Sequence, residues 1–331
     1  ATHQYALDNG DPGFRGAIAA FMKKRFGVDV DPVSEIYPTI GSKEAIGHLP
    51  LAVVDPGDTV VVPDPGYPVY NASALFAGAD VHRMPLRASN GFLPDLEALE
   101  RDLPTRAKLV YLNYPNNPTS VMAGGTLFTD ACALCRRRGM ILVNDAAYSE
   151  ITFERPFEPL FTVARGGDIP YIEFFSFSKT FSITGWRVGF AVGSPDVIGP
   201  LARIKANLDS GVFGAIQEAV ARVLEGHFEE VLGGMMDIYA ERRNLLADSL
   251  GRTKLEFEPP EATFYFWIGT PHGCGTIDFC RTLLDQTGIV ATPGIGFGEH
   301  GEGYFRLSLT ADTDTVREAG ELLEAYLSRI D

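Results

Sequence analysis

The apolar residues of this chain form short runs that alternate with longer segments in which they recur at helical spacing. Short, nearly continuous apolar runs are typical of strands that are buried on both faces, as in a parallel sheet. Such runs predict strands at residues 35–40, 59–62, 107–112, 140–143, 172–175, 188–192, 264–268 and 304–309.

The segments between these runs have a helical period. An apolar stripe extends from Phe14 to Phe26 and stops at Gly27, which predicts an amphipathic helix with a glycine C-cap. Further helices are predicted at residues 41–54, 127–138, 195–206, 215–224, 228–250 and 314–327.

This alternation predicts an α/β fold with a mostly parallel sheet and helices on both of its faces. A chain of 331 residues is long for one domain, so a smaller α/β domain is expected to follow the large one. We expect the large domain to span residues 1–228 and the small C-terminal domain residues 229–331. The long helical segment near 228–250 would join them.

Composition and charge narrow the choice of partners. Apolar residues make up 45% of the chain, which is enough for a core, and the formal net charge is -15 without a basic stripe. That charge argues against nucleic acid and against an anionic membrane surface as partners. No apolar run approaches the about 18 residues of a membrane span, and the first residues lack the features of a signal peptide.

The four cysteines indicate ordinary thiols. Cys132 and Cys135 form a C-x-x-C pair, but they fall inside a predicted helix, whereas a redox pair belongs at a helix N-terminus after a strand. His272 and Cys274 lie close in sequence without further ligands at zinc spacing, so no metal site is predicted. These features favour a cytoplasmic location.

The most distinctive chemistry lies at residues 176–189, between two predicted buried strands. Lys179 follows Ser176 and Ser178, and Arg187 stands eight residues further on between two glycines. A loop between buried strands can keep a lysine dry, so that its amine is deprotonated and nucleophilic near neutral pH. Two hydroxyls and a guanidinium suit a phosphate. A lysine that condenses with an aldehyde beside a phosphate site suggests pyridoxal phosphate.

Residues 176–189 resemble the lysine motif of the class I/II aminotransferases, the fold-type-I pyridoxal phosphate enzymes: Ser-x-Ser-Lys, a spacer, then Gly-x-Arg-x-Gly. The resemblance extends over essentially the whole chain. It implies an aminotransferase that moves an amino group from an L-amino acid to a 2-oxo acid with ping-pong kinetics. Lys179 would hold the cofactor as a Schiff base and then act as general base. Ser176, Ser178 and Arg187 would bind its phosphate.

The resemblance also implies cofactor contacts in the first part of the chain. Gly41, Ser42 and Lys43 match the phosphate-binding turn, where a helix N-terminus offers free N–H groups. Tyr67 matches an aromatic ring that stacks on the pyridine ring. Tyr5 matches a tyrosine that reaches the cofactor phosphate of the neighbouring subunit, which implies a homodimer with composite sites.

Later matches complete the implied site. Asp145 matches the catalytic carboxylate that pairs with the pyridine nitrogen, and Tyr148 a hydroxyl beside the cofactor's phenolic oxygen. Asn117 matches a donor to that oxygen and a substrate contact. Arg306, the one arginine of its strand, matches the residue that binds the substrate α-carboxylate. Ser120 stands where the family usually has glycine, and a positive φ there would cost about 1 kcal/mol.

Several of these residues also have ordinary structural interpretations. Tyr5 could tether the chain terminus, and Tyr67 could be a core tyrosine in a proline-rich turn. Asp145 could cap a helix. Arg306 could form a structural salt bridge.

Residues 294–298 read Gly-Ile-Gly-Phe-Gly, which resembles a dinucleotide-binding fingerprint. The run neither follows a clear first strand nor opens a helix, so we reject that interpretation. We expect a mobile loop near the substrate instead.

Four strings look closest to LL-diaminopimelate aminotransferases and their relatives: residues 3–5, 41–44, 62–70 and 145–150. Related enzymes act on aspartate, glutamate, alanine or aromatic amino acids, so the donor stays open. The family's N-terminal arm, helix and glycine-bearing strand do not stand before Tyr5 in this sequence. Either the chain was trimmed or the segment is absent, and the substrate contact made there stays open. A carbon–sulfur lyase with the same cofactor and a non-catalytic cofactor-binding domain are the alternatives.

Overall fold

A computed structural model of the chain describes residues 4–166, 168–271 and 274–329. Its larger sheet has seven strands in the order β1-β7-β6-β5-β4-β2-β3. Four of the six neighbouring pairs are parallel, and β7 is antiparallel to both β6 and β1. The strands are β1 (Ile36–Thr39), β2 (Thr59–Asp64), β3 (Asp80–Pro85), β4 (Ala107–Leu112), β5 (Ile141–Asp145), β6 (Tyr171–Ser176) and β7 (Gly189–Gly193).

Both faces of this sheet are buried. Along β4, Leu109 and Tyr111 belong to one core cluster, and Val110 and Leu112 belong to the cluster on the opposite face. Side chains that alternate along a strand point to opposite faces, so a strand that is apolar throughout must be covered twice. The predicted fold class, a mostly parallel sheet with helices on both faces, is confirmed.

Helices cover both faces of this sheet, and the last helices of the chain pack with the smaller sheet. The helices of the described residues are α1 (Pro12–Phe26), α2 (Ser42–Val53), α3 (Val69–Phe76), α4 (Leu96–Asp102), α5 (Leu127–Arg138), α6 (Leu160–Ala164), α7 (Phe177–Thr180), α8 (Pro195–Leu208), α9 (Gly214–Gly226), α10 (Phe228–Leu250), α11 (Thr276–Thr287) and α12 (Thr313–Leu327).

A second, smaller sheet follows α10. Its strands are β8 (Tyr265–Gly269), β9 (Thr292–Pro293) and β10 (Tyr304–Ser308), antiparallel in the order β8-β10-β9. Residues of this sheet, α10, α11 and α12 share one core cluster. The predicted domain boundary between residues 228 and 229 falls at the first residue of α10 and stays a prediction.

The apolar pattern located most of the longer elements to within a few residues but missed β3, β9, α3, α4, α6, α7 and α11. The edge strand β3 reads Asp-Val-His-Arg-Met-Pro and is largely accessible, so it lacks the apolar run of a buried strand. Among the described helices, none has the length and apolar character needed to cross a membrane. The Cys132 and Cys135 thiols are buried on α5, and burial raises the pKa of Cys132 to about 11. His272 lies outside the described residues.

Candidate active site

A cavity of about 530 Å³ opens at the carboxyl ends of the parallel strands. Tyr67 and Asn113 come shortly after β2 and β4, and Asp145 and Ser176 end β5 and β6. All four line the cavity. This edge is where open α/β sheets bind ligands, because the loops that leave neighbouring strands diverge there.

Lys179 lies in the short helical turn α7, directly after β6. Its Nζ is 5.5 Å from the centre of the Phe264 ring and 6.0 Å from that of Tyr148. Burial lowers the pKa of Lys179, and the nearby charges of Arg187 and Arg306 lower it further. An amine in this environment loses its proton more easily than a solvated lysine and becomes nucleophilic.

Phenylalanine rings pack around α7, the turn that carries Lys179. Phe177 stacks on Phe181 with ring centres 5.4 Å apart, and it also packs against Phe14 of α1 and Phe190 of β7. Phe181 contacts Phe228 at the start of α10. The turn that carries Lys179 is thereby packed against three other elements of the fold.

Arg187 forms one end of the cavity with Gly41. The arginine adopts a left-handed backbone, with φ of 54°, and its Nη1 donates to Ser178 Oγ at 3.2 Å and to the Thr184 carbonyl oxygen at 2.8 Å. Gly41 caps α2 with φ of 72°, and a Cβ there would lie 2.3 Å from Arg187 Nη2. Only glycine fits this approach, which brings a guanidinium to the N-terminus of α2.

A network of ion pairs stabilises the turn at the N-terminus of α2. The Glu44 carboxylate accepts from the Ile40 backbone N–H at 3.1 Å and lies 2.7 Å from Lys205 Nζ. The Lys205 ammonium, which is 1% exposed, also donates to Asp209 at 2.8 Å. Because the lysine is paired twice, the desolvation cost of its charge is offset, and Glu44 is held against the turn.

Asp145 is a fully buried carboxylate on the opposite side of the cavity. Tyr70 donates its hydroxyl hydrogen to Oδ2 at 2.8 Å, and the Ala147 backbone N–H donates to Oδ1 at 3.2 Å. Burial raises the pKa of Asp145 to about 6, although these hydrogen bonds and the Lys179 charge oppose the rise. A cationic N–H in the cavity would stabilise the charged form.

Arg306 lies on β10 beside two aromatic rings. Its Cζ is 3.9 Å from the centre of the Tyr265 ring and 4.7 Å from that of Phe297. Nη1 donates to Asn117 Oδ1 at 2.7 Å, whereas Nε is buried without a hydrogen-bond partner. The Tyr148 and Tyr265 hydroxyls are 3.1 Å apart. A buried guanidinium with an unused donor is suited to a carboxylate ligand.

Ser120 connects this region to the small sheet. It has φ of 63°, so the positive φ considered for this position is present. Its Oγ donates to the Tyr265 carbonyl oxygen and lies 2.7 Å from Thr263 Oγ1. Thr263 also has a positive φ, of 67°. Two strained residues thus meet at a hydroxyl pair next to Tyr265.

The structure brings nearly all of the predicted site residues into one place. Those that line the cavity are Ser42, Lys43, Tyr67, Asn117, Asp145, Tyr148, Ser176, Ser178, Lys179, Arg187 and Arg306. Gly41 contacts Arg187, and Tyr5 is 89% exposed. Their roles stay predictions.

Sequence reasoning missed further lining residues: Tyr70, Asn113, Thr184, Tyr265 and Phe297. Tyr70 stands in the same string as Tyr67, and only the first of the two tyrosines was assigned. Tyr265 lies in an apolar strand, where its hydroxyl gives no signal.

The family model for aminotransferases of class I and II matches residues 1–323. The chain belongs to this family. It is therefore a pyridoxal-phosphate-dependent aminotransferase, as the resemblance in its sequence implied.

Curated relatives match along almost the full chain. The chain is 47% identical to LL-diaminopimelate aminotransferase of Syntrophobacter fumaroxidans, over 97% of this chain and 82% of the relative. It is 44% identical to the Desulforudis audaxviator enzyme of the same name, over 100% of this chain and 84% of that one.

Solved structures agree with the fold. A substrate-bound structure of BacF from Bacillus subtilis has a TM-score of 0.92 at 32% identity, over 98% of this chain and 82% of that chain. A probable N-succinyldiaminopimelate aminotransferase from Thermus thermophilus has a TM-score of 0.89 at 31% identity, over 98% and 87%.

The residues of the cavity fit the cofactor of the family. Arg187, two serines and the N-terminus of α2 gather donors for a phosphate at one end, where a side chain on Gly41 would fill the space. The buried Asp145 carboxylate needs a cationic partner, which a protonated pyridine nitrogen supplies. Lys179, also in the lining, offers the amine that such a cofactor requires.

Proposed function

We propose that this aminotransferase takes LL-diaminopimelate as its amino donor and passes the amino group to a 2-oxo acid. The observation that carries the proposal is its similarity to curated LL-diaminopimelate aminotransferases, which are 42–47% identical over at least 96% of the chain. Solved aminotransferase structures from Staphylococcus aureus and Pyrococcus horikoshii are less similar in sequence, at 32% and 25% identity.

When bound, pyridoxal phosphate supplies an aldehyde that bonds to amines and a ring that draws electrons from the substrate Cα. Ser42, Lys43, Ser176, Ser178 and Arg187 would bind its phosphate, and Tyr67 would stack on the ring. The chain's part in the chemistry is then to hold charges in place and to move one proton.

Lys179 moves that proton. Its Nζ would hold the cofactor and, once free of it, would take the hydrogen from the substrate Cα as general base. The lowered pKa of Lys179 favours the neutral amine that this step needs. The rings of Phe264 and Tyr148, which pack against each other, shield one side of this amine from water.

Asp145 would hold a proton on the pyridine nitrogen. Its carboxylate is fixed by hydrogen bonds from Tyr70 and from the Ala147 backbone N–H, so it presents a negative charge to a cationic ring N–H. Such a partner would also offset the cost of the buried carboxylate charge. Tyr148 would donate to the phenolic oxygen.

Arg306 would bind the substrate α-carboxylate with Nε and Nη2, whose hydrogens point to the same side of the guanidinium. The Nε hydrogen has no partner among the described residues, so a carboxylate can satisfy it without breaking a bond. Asn117 already accepts from Nη1 and thereby fixes the guanidinium plane. A paired geometry of this kind distinguishes carboxylates from neutral groups.

The donor can be identified by recording the visible absorption spectrum of the cofactor-loaded protein. LL-diaminopimelate, glutamate, aspartate and alanine are added singly, with Lys179→Ala as the control. Conversion to the amino form of the cofactor by LL-diaminopimelate alone supports the proposal. Conversion only by another donor refutes it. Release of pyruvate and ammonia without an acceptor identifies the carbon–sulfur lyase alternative, and a spectrum that no donor changes identifies a non-catalytic domain.

A homodimer is part of the proposal. Tyr5 does not line the cavity of its own chain and is exposed, which supports a role in a neighbouring subunit's site. Mixing Tyr5→Phe with Lys179→Ala protein tests this, because a hybrid dimer regains one site with both native residues. If the mixture is no more active than its parts, Tyr5 does not act across subunits.

We further propose a cytoplasmic location. The four cysteines are free and three of them are buried, which supports a compartment that keeps thiols reduced.

A further inference from the structure

The glycine-rich loop between β9 and β10 reaches into the active site. Residues 294–301 form two 3-10 turns, Gly294–Phe297 and Glu299–Gly301. Phe297 lies at the end of the first turn and lines the cavity, with its ring 4.7 Å from Arg306 Cζ. Since Tyr265 lies 3.9 Å from the same atom, the guanidinium is held between two rings.

This loop is fastened to the end of β2 in the large sheet. The Asp64 carboxylate, fully buried, accepts from the His300 backbone N–H at 3.0 Å. The Gly66 N–H donates to the Phe297 carbonyl oxygen at 2.8 Å. Gly298 has φ of 135°, and a Cβ there would lie 2.0 Å from Asp64 Oδ1, so the carboxylate packs directly on the glycine backbone.

The His300 ring adds a second link. Its Nε2 is 3.3 Å from Arg87 Nη2, and because arginine only donates, Nε2 must accept and Nδ1 must carry the hydrogen. That Nδ1 lies 3.4 Å from Asp64 Oδ2, and Arg83 Nη1 lies 3.6 Å from the same oxygen. Both Nδ1 and Oδ2 are buried without a hydrogen bond to any described residue, so the imidazole N–H and the carboxylate oxygen are suited to pair with each other.

We propose that Asp64 and His300 are positioning residues for recognition of the substrate α-carboxylate. They hold Phe297 against Arg306 and thereby fix the plane of the guanidinium. The inference rests on the proposed carboxylate-binding role of Arg306. Neither residue lines the cavity, so each acts through the loop and not on the substrate itself.

The reason lies in how the two sheets meet. Arg306 belongs to the small sheet, whereas Asp64 ends the strand that leads to Tyr67 in the large one. A loop fastened at both of these places sets the distance between the carboxylate site and the cofactor site. Without Asp64 the Phe297 ring can leave Arg306, and the guanidinium loses a fixed orientation that bidentate binding needs.

The test uses two probes that do not react. Pimelate is the dicarboxylate that remains when both amino groups of diaminopimelate are removed, and its diamide has the same length without charge. Their inhibition constants are measured against the holoenzyme for Asp64→Asn and His300→Ala. We expect pimelate to bind about tenfold more weakly, the effect of one charge-assisted hydrogen bond, and the diamide to change by less than about twofold. His300→Asn, which keeps a donor at the Nδ1 position, should restore pimelate binding.

A second measurement does not depend on activity. In a Trp186→Phe background, Trp267 is the one tryptophan of the chain, and its ring centre lies 5.9 Å from that of Phe297. Asp64→Asn should change its fluorescence emission, and Gly298→Ala should do the same. Asp58→Asn is the matched control, because Asp58 lies at the opposite end of β2 and pairs with Arg106. This variant should change neither the inhibition constant of pimelate nor the fluorescence of Trp267.

The outcomes distinguish the carboxylate-binding role of Arg306 from the positioning role of Asp64 and His300. If Arg306→Gln weakens pimelate binding but Asp64→Asn does not, the positioning role is wrong and the carboxylate role of Arg306 stands. If Arg306→Gln leaves pimelate binding unchanged, the carboxylate role itself is wrong. Equal weakening of pimelate, diamide and pyridoxal phosphate binding by Asp64→Asn would mean that Asp64 supports the Tyr67 loop instead, which also overturns the inference.

Discussion

Replacing Asp145 with asparagine should stabilise the cofactor-free protein. The carboxylate is fully buried and lacks a cationic partner until the cofactor arrives, so its charge destabilises the empty fold. Asparagine has the same shape, can accept from the Ala147 N–H and can donate to the Tyr70 hydroxyl oxygen. The variant keeps the hydrogen bonds and removes the charge.

The magnitude follows from the pKa values. The pKa of Asp145 is 3.8 in the unfolded chain and about 6 in the folded protein, a difference of roughly two pH units. Each unit corresponds to about 1.4 kcal/mol, so the charged carboxylate lowers the free energy of unfolding by about 3 kcal/mol. The folded state binds more protons between these values, so stability falls as pH rises through this window and stays lower above it. For 331 residues, about 3 kcal/mol corresponds to about 4 °C in melting temperature.

The assay is thermal unfolding of the cofactor-free proteins from pH 4 to pH 8. The stabilisation by Asp145→Asn should be near zero at pH 4 and reach about 4 °C at pH 7 and above. Asp312→Asn is the control, because Asp312 is an exposed helix cap whose pKa is lowered by hydrogen bonds to Thr315. A melting-temperature difference for Asp145→Asn that does not grow with pH would refute the reasoning. The same variant should lose most of its aminotransferase activity.

Three further predictions follow from the site and its supports. Lys179→Ala should lose the visible band of the covalently bound cofactor and at least about 100-fold in turnover; a retained band would contradict its role. Ser120→Ala should be about 1 kcal/mol less stable to urea than Ser120→Gly, because both variants lose the hydrogen bonds of the hydroxyl and only alanine is strained at the positive φ; equal stability would contradict the strain. Lys205→Met should destabilise the fold by about 3 kcal/mol and weaken pyridoxal phosphate binding, since the Glu44 and Asp209 carboxylates would lose the buried ammonium that both of them bind; unchanged cofactor binding would show that this network does not support the phosphate turn.

The site was predictable where chemistry is local in sequence. The string around Lys179 and Arg187 combines a nucleophile with phosphate donors within a few residues, and Asp145 follows a recognisable apolar strand. Tyr70, Tyr265 and Phe297 were not predictable, because their importance depends on contacts between residues far apart in the chain. Tyr70, for example, matters only because β2 and β5 lie on either side of β4.

The fold followed the same rule. Strands buried on both faces can be predicted from continuous apolar runs, and the predicted bounds of β4 agree with the structure. The edge strand β3 has solvent on one side and therefore a mixed sequence that a period alone cannot identify. Phe297 of the loop expected at 294–298 lines the cavity, but the attachment of this loop to Asp64 involves backbone groups that leave no trace in the side-chain pattern.

The charges around the cavity oppose those of the rest of the protein. Lys43, Lys179, Arg187 and Arg306 line it with a single carboxylate, Asp145, among the described residues, whereas the chain as a whole carries -15. An incoming 2-oxo acid is therefore repelled at long range and attracted only near the mouth. The Debye length shortens from about 30 Å at 0.01 M salt to about 8 Å at 0.15 M, which screens the distant repulsion more than the close attraction. Capture of anionic substrates should thus speed up as ionic strength approaches that of the cell, the reverse of ordinary electrostatic steering.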